Sequence, residues 1–117
     1  SCRDWGHAKD YVRAMWLMLQ QDKPDTYVIS TGVTHSVRDF VKEAFRCIGV
    51  DDYEKFVEID QKQIRPSEVP YLKGDCSKAK EAIGWIPEIS FEDLVSIMVQ
   101  HDIARITNDT ETAYSVK

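Results

Sequence analysis

No glycine-rich phosphate loop, no Gly-x-Ser-x-Gly and no tyrosine followed four residues later by lysine occurs in the 117 residues. The first absence removes the usual cradle for a dinucleotide pyrophosphate, and the second removes the strained turn of a serine hydrolase. The third removes the pairing that holds an ionisable tyrosine beside a nicotinamide. The chain therefore does not carry a complete dinucleotide enzyme. Cysteine is equally sparse. Cys2, Cys47 and Cys76 are odd in number and have no Cys-x-x-Cys spacing, which argues against a disulfide framework or zinc site and for reduced thiols. Positive charge is short as well: the formal net charge is −5, and the lysines and arginines are scattered. That excludes a general surface for nucleic acid or anionic membrane, so any phosphate has to be met locally. No apolar run approaches the roughly 18 residues of a membrane span, and the N-terminus lacks the charged-then-apolar order of a leader. The expectation is a cytoplasmic protein with neither nucleic acid nor membrane as partner.

With 43% hydrophobic and 30% charged residues, the chain has enough apolar material for one domain. Ser1 to Trp5 has no start residue and reaches an aromatic at once, as if cut from something longer. From about Ala8 to Gln21, Val12, Met15, Trp16 and Leu19 fall at helical spacing, while Tyr11, Leu17 and Met18 widen the stripe beyond one face. Such a helix expects cover on two sides. Tyr27 to Ser30 reads as a short buried strand bounded by Gly32. Ser36 and Asp39 have the spacing of a capping box, Val37 to Ile48 carries an apolar helical face, and Gly49 is the expected stop.

Phe56 to Asp60 alternates apolar with polar and reads as a half-buried strand, followed by another short extended piece at Tyr71 to Lys73. Asp75 is placed to cap a helix from about Cys76 to Ile83, which Gly84 ends. Ser90 and Asp93 repeat the capping-box spacing before a last helix through Leu94, Val95, Met98 and Val99. The periodicity fails beyond about Ile106, so residues 1–106 are expected to form the folded region and residues 107–117 a disordered tail.

Arginine stands in two settings that suit a diphosphate. In Ile64-Arg65-Pro66-Ser67-Glu68-Val69 the proline fixes its own φ and pushes Arg65 into an extended conformation, so the guanidinium projects from stiff backbone. Glu68, three residues on, suits vicinal ribose hydroxyls; the plainer alternatives are an ordinary surface loop for the Arg-Pro pair and a solvent-exposed side chain for Glu68. Arg3 sits beside Asp4 and Trp5 just before the first helix, and Arg3 and Arg65 together can clamp a diphosphate from two sides; the plainer alternative for Arg3 is a surface salt bridge with Asp4. His7, His35 and His101 are far apart with no carboxylate or cysteine at ligand spacing. They are expected to support the first helix start, shape the turn before Ser36 and face the dipole of the last helix. The spacing supports no catalytic, metal-ligating or cofactor-binding residue.

Arg3-Asp4-Trp5-Gly6-His7-Ala8-Lys9-Asp10-Tyr11-Val12 and Ala14-Met15-Trp16 resemble the GDP-mannose 4,6-dehydratases, a family of extended short-chain dehydrogenase/reductases. The likeness continues through Tyr27 to Gly32, His35 to Val41, Arg65-Pro66-Ser67-Glu68-Val69, Gly74 to Lys80 and Gly84-Trp85, in family order. Ile64 in place of an aromatic, a shorter Val50 to Lys55 connection than many members have, and Val69-Pro70-Tyr71 are departures. The resemblance implies an α/β fold: the C-terminal substrate-binding portion, with short strands and about four helices, and no N-terminal Rossmann part. It implies an NADP-dependent lyase that converts GDP-mannose to GDP-4-keto-6-deoxymannose on the GDP-fucose route, with NADP bound outside this chain. It also implies a homo-oligomer, dimer or tetramer. Carried over by position, Arg3 and Arg65 meet the diphosphate and Glu68 the ribose of the GDP moiety. A related nucleotide-sugar reductase or epimerase and a non-catalytic nucleotide-sugar binding module are the alternatives.

Overall fold

The computed structural model describes residues 1–63 and 70–107. Four helices, α1 (Ala8–Leu19), α2 (Val37–Cys47), α3 (Ser77–Ile83) and α4 (Phe91–Thr107), surround one antiparallel ribbon of β1 (Cys2–Asp4) and β2 (Thr34–Ser36). Short 3-10 turns at Tyr53–Phe56 and Gln61–Gln63 lie between α2 and α3. This is a small α/β arrangement. Among the described residues no helix is long and apolar enough to cross a membrane.

Local chemistry sets each helix boundary. His7 is extended at the N-cap of α1, and its Nδ1 accepts the Lys9 amide at 3.0 Å. The Ser36 and Asp39 capping box closes in both directions, the Asp39 amide reaching Ser36 Oγ at 3.0 Å and the Ser36 amide reaching Asp39 Oδ2 at 2.9 Å. After α2 the chain turns at Gly49, φ 82°, a conformation that costs a β-carbon about 1 kcal/mol or more. Asp75 Oδ1 takes the Ser77 amide at 3.0 Å as α3 begins, and Gly84 ends α3 in the left-handed region. At α4 the Asp93 amide donates to Ser90 Oγ at 3.1 Å.

The main core joins one face of α1 to α3: Ala14, Ala79, Ile83 and Trp85 are buried, with Tyr11, Leu17, Met18, Tyr27 and Ile29 against them. Trp85 is fully enclosed because its indole N–H has a partner, the Asp10 carbonyl at 2.8 Å. The Asp10 carboxylate, also buried, accepts the amides of Glu88 and Ile89 at 3.2 and 3.1 Å. Arg13 closes this corner by donating to the Ile86 carbonyl, with its guanidinium 5.9 Å from the Trp85 ring. A second packing zone lies between α2 and α4, where Leu94 and Val95 are buried.

Two expectations need correction. Tyr27 to Ser30 forms no strand: its Tyr27 and Ile29 side chains pack on the α1 and α3 core, while both edges of β1 are taken, one by β2 and the other by residues 70–72. Phe56 to Asp60 is not a strand either. The Asp52 carbonyl captures the Lys55 amide in a 3-10 turn, and Phe56 stacks back on Phe45 of α2 at 5.7 Å. Helix α4 runs to Thr107, whose hydroxyl donates to the Ile103 carbonyl at 2.8 Å. The rest of the expected tail, 108–117, and the stretch 64–69 lie outside the described residues.

The other face of α1 is open. Val12, Met15, Trp16 and Leu19 are 56 to 82% exposed, so the two-sided stripe read from the sequence has only one side covered within these residues. Replacing Trp85 by alanine is expected to cost about 3–5 kcal/mol in denaturant unfolding, whereas Trp16→Ala should cost about 0.5 kcal/mol or less. Equal losses would contradict this division of the helix. A chain of only these 117 residues is expected to self-associate through the stripe. Sedimentation that stays monomeric as concentration rises, or association unaffected by Trp16→Gln with Leu19→Gln, would show otherwise.

Candidate functional site

Arg3 lies at the centre of β1, opposite His35 of β2. On the other edge of β1, Cys2 donates to the Pro70 carbonyl at 2.8 Å and accepts the Leu72 amide at 2.9 Å, which makes a parallel bridge to Tyr71. The Thr34 hydroxyl spans the arrangement, bonding the Arg3 carbonyl at 3.1 Å and the Leu72 carbonyl at 3.3 Å. Three extended segments thus lie side by side. Arg65 and Glu68 lie outside the described residues, but the chain that follows them returns at Pro70 directly beside the Arg3 strand. Arg3 itself is half-buried, and one arm of its guanidinium donates to the Cys2 carbonyl at 2.9 Å.

The residue that gathers these segments is Asp4. Its Oδ1 accepts the Thr31 amide at 2.8 Å and the Thr31 hydroxyl at 2.6 Å, while its Oδ2 accepts the amides of Gly32 at 2.9 Å and Gly74 at 3.2 Å. Burial pushes the Asp4 carboxyl up, but the bonds from the Thr31 hydroxyl and from the Thr31, Gly32 and Gly74 amides outweigh it and hold the group below its ordinary value. The charge acts at a distance too. Tyr11 is raised by burial and then by the negative charges of Asp4 and Asp10. Gly74 is required for its approach, since a β-carbon there would overlap Cβ and Oγ of the buried Ser30.

Beside the ribbon the aromatics interlock. The Trp5 indole donates to the His35 carbonyl at 2.9 Å and its ring lies 4.9 Å from Phe40, while the His35 ring stacks on Phe91 at 3.8 Å. His35 is therefore a strand residue and a packing group, and not only the turn-shaping residue expected. An open cleft of about 380 Å³ borders this cluster, lined by Trp5, Thr31, His35, Glu88 and Phe91 among others. Among the described residues no three His, Cys, Asp or Glu side chains come together as a metal site would need. Sequence reasoning weighed Asp4 only as a salt-bridge partner for Arg3. The signal that could have found its role is the pair of glycines, Gly32 and Gly74, each able to offer an unobstructed amide.

The family model for GDP-mannose 4,6 dehydratase matches residues 1–98. The chain belongs to this family. It is 54% identical over 101 residues to GDP-mannose 4,6 dehydratase 1 of Arabidopsis thaliana, covering 86% of this chain and 28% of that protein. The GDP-mannose 4,6 dehydratases of Cricetulus griseus and Dictyostelium discoideum are 47% and 48% identical, over 86% and 91% of this chain and 32% and 34% of their own lengths. The chain spans about a third or less of the curated relatives it matches. With 86% of the chain covered in both cases, the alignment runs over 101 positions with the Arabidopsis protein and 117 with the Cricetulus one, so the latter carries additional residues within its span.

For this dehydratase-family chain, the ionised Asp4 predicts a specific acid sensitivity. A carboxyl held below 3.8 when folded contributes stability that is complete above that value and is lost as pH falls through the lower folded value. Asp4→Asn is therefore expected to be less stable than the parent at neutral pH, by about 1.5–3 kcal/mol, with the gap closing below about pH 4. A gap in urea midpoints that stays constant down to strongly acidic pH would contradict this.

Proposed function

We propose that this chain is the nucleotide-sugar-binding part of an NADP-dependent GDP-mannose 4,6-dehydratase. That enzyme is an extended short-chain dehydrogenase/reductase and a lyase converting GDP-mannose to GDP-4-keto-6-deoxymannose on the GDP-fucose route. The observation that carries the reading is the pairing of the Arg3 strand with the segment that leaves the Arg65 to Glu68 stretch, in a chain of this family. Arg3 lies on β1 and Arg65 five residues before Pro70 in sequence; two arginines so brought to one region can engage a diphosphate from two sides, and Glu68 can accept from ribose hydroxyls. Residues 1–106 would form this region.

The residues in hand do not fit NADP. No glycine-rich dinucleotide loop and no Tyr-x-x-x-Lys pair is present, so the cofactor would be held by the part of the relatives' length that this chain does not span. What these residues do is bind and orient. The guanidinium groups neutralise the diphosphate and fix its position, and the Asp4 carboxylate keeps the ribbon from shifting. As the complete enzyme, the protein would be a cytoplasmic homo-oligomer.

The test compares GDP-mannose with UDP- and dTDP-sugars in the protein as its source makes it. Turnover restricted to GDP-mannose is expected, and a preference for a non-guanine nucleotide sugar would sink the reading in favour of another enzyme of the superfamily. Arg3→Ala is expected to raise KM for GDP-mannose by about 10- to 150-fold, the equivalent of about 1.5–3 kcal/mol, with little change in kcat.

A further inference from the structure

We propose that Asp4 is a positioning residue for nucleotide-diphosphate binding, presenting Arg3 by locking its strand between the two neighbouring extended segments; this rests on the reading of Arg3 just given. Adjacent residues in a strand point to opposite faces, so Asp4 and Arg3 share one backbone but face different surroundings. β1 is only three residues long and receives little definition from its own ladder. Its two edges are β2 and residues 70–72, and the Asp4 carboxylate holds the chain next to both. Through Thr31 and Gly32 it holds the turn that leads into β2, and through Gly74 it holds the chain just after Leu72. A single carboxylate therefore fixes the lateral position of the strand that carries Arg3 and the place where the chain returns at Pro70.

The two oxygens divide this work. Oδ1 serves Thr31 alone, while Oδ2 bridges Gly32 and Gly74, amides 42 residues apart in sequence. An asparagine can keep one oxygen but turns an N–H₂ towards the donors on the other side, leaving either Thr31 or the glycine pair without an acceptor. Thr31→Val removes the 2.6 Å hydroxyl bond to Asp4, together with the longer contacts of that hydroxyl to the Val33 amide and carbonyl at 3.3 and 3.2 Å, and leaves the three amide bonds to Asp4 in place.

The experiment measures kcat and KM for GDP-mannose, and the thermal midpoint, in the enzyme as its source makes it. The variants are Asp4→Asn, Thr31→Val, Arg3→Ala and the Arg3→Ala/Asp4→Asn pair. Asp4→Asn is expected to raise KM about tenfold with kcat within about twofold, and Thr31→Val to raise KM about threefold. The double variant should show the KM of Arg3→Ala alone within about twofold, because a guanidinium already removed cannot be misplaced again. Independent, multiplying effects would overturn the proposal, as would a lowered thermal midpoint with unchanged KM in Asp4→Asn. If Asp4→Asn does not fold, Thr31→Val decides: raised KM with a nearly unchanged midpoint supports positioning, and unchanged KM overturns it. If Arg3→Ala leaves KM unchanged, the diphosphate role of Arg3 fails and this inference falls with it. That result is distinct from one in which Arg3→Ala raises KM and Asp4→Asn does not.

Discussion

Two aspartate carboxylates hold this chain together where a larger sheet would ordinarily do so. Backbone amides withdrawn from water need acceptors, and a ribbon of three residues per strand supplies few. Asp4 collects Thr31, Gly32 and Gly74, and Asp10 collects Glu88 and Ile89, while the Asp10 carbonyl takes the Trp85 indole. Each carboxylate joins segments distant in sequence, and each sits at one end of the stretch from β1 into α1. The loops from Thr31 to Gly32 and from Trp85 to Ile89 are thereby fixed to the same short piece of chain. An ionised acceptor is suited to this because it takes several donors at once and forms stronger bonds than a neutral one.

That arrangement has a functional consequence. Binding a diphosphate by arginine depends on holding guanidinium groups at a fixed separation, since a bidentate fork tolerates little displacement. Arg3 lies on the backbone that Asp4 pins, and the chain leaving the Arg65 to Glu68 stretch is hydrogen-bonded to Cys2, next to Arg3. On the proposed role of Arg3, stability and ligand geometry rest on the same carboxylate. The aromatic group of Trp5, His35, Phe40 and Phe91 supports the other side of the ribbon and ties it to α2 and α4.

The exposed stripe on α1 contrasts with this economy. Trp85 and Trp16 are the same side chain in different places, yet one is fully enclosed and the other 61% exposed. The difference lies in which face of α1 has something packed on it, and the family's relatives are about three times the length of the chain that they match.

The sequence by itself determined the helices, a set of local caps and stops, and the family. Ser36 with Asp39, Gly49 and Gly84 act within a few residues, so their effect is written locally and the structure shows each of them as read. Strands were less legible, because three-residue runs have no measurable periodicity and pairing partners lie far off: β1 was not foreseen, and the runs at Tyr27 and Phe56 formed no ladder. Only the tertiary structure decided that Asp4 joins Thr31, Gly32 and Gly74, that His35 lies in a strand opposite Arg3, and which side of α1 is buried. These are contacts between residues tens of positions apart, and local propensity carries no information about which distant donor a carboxylate will meet.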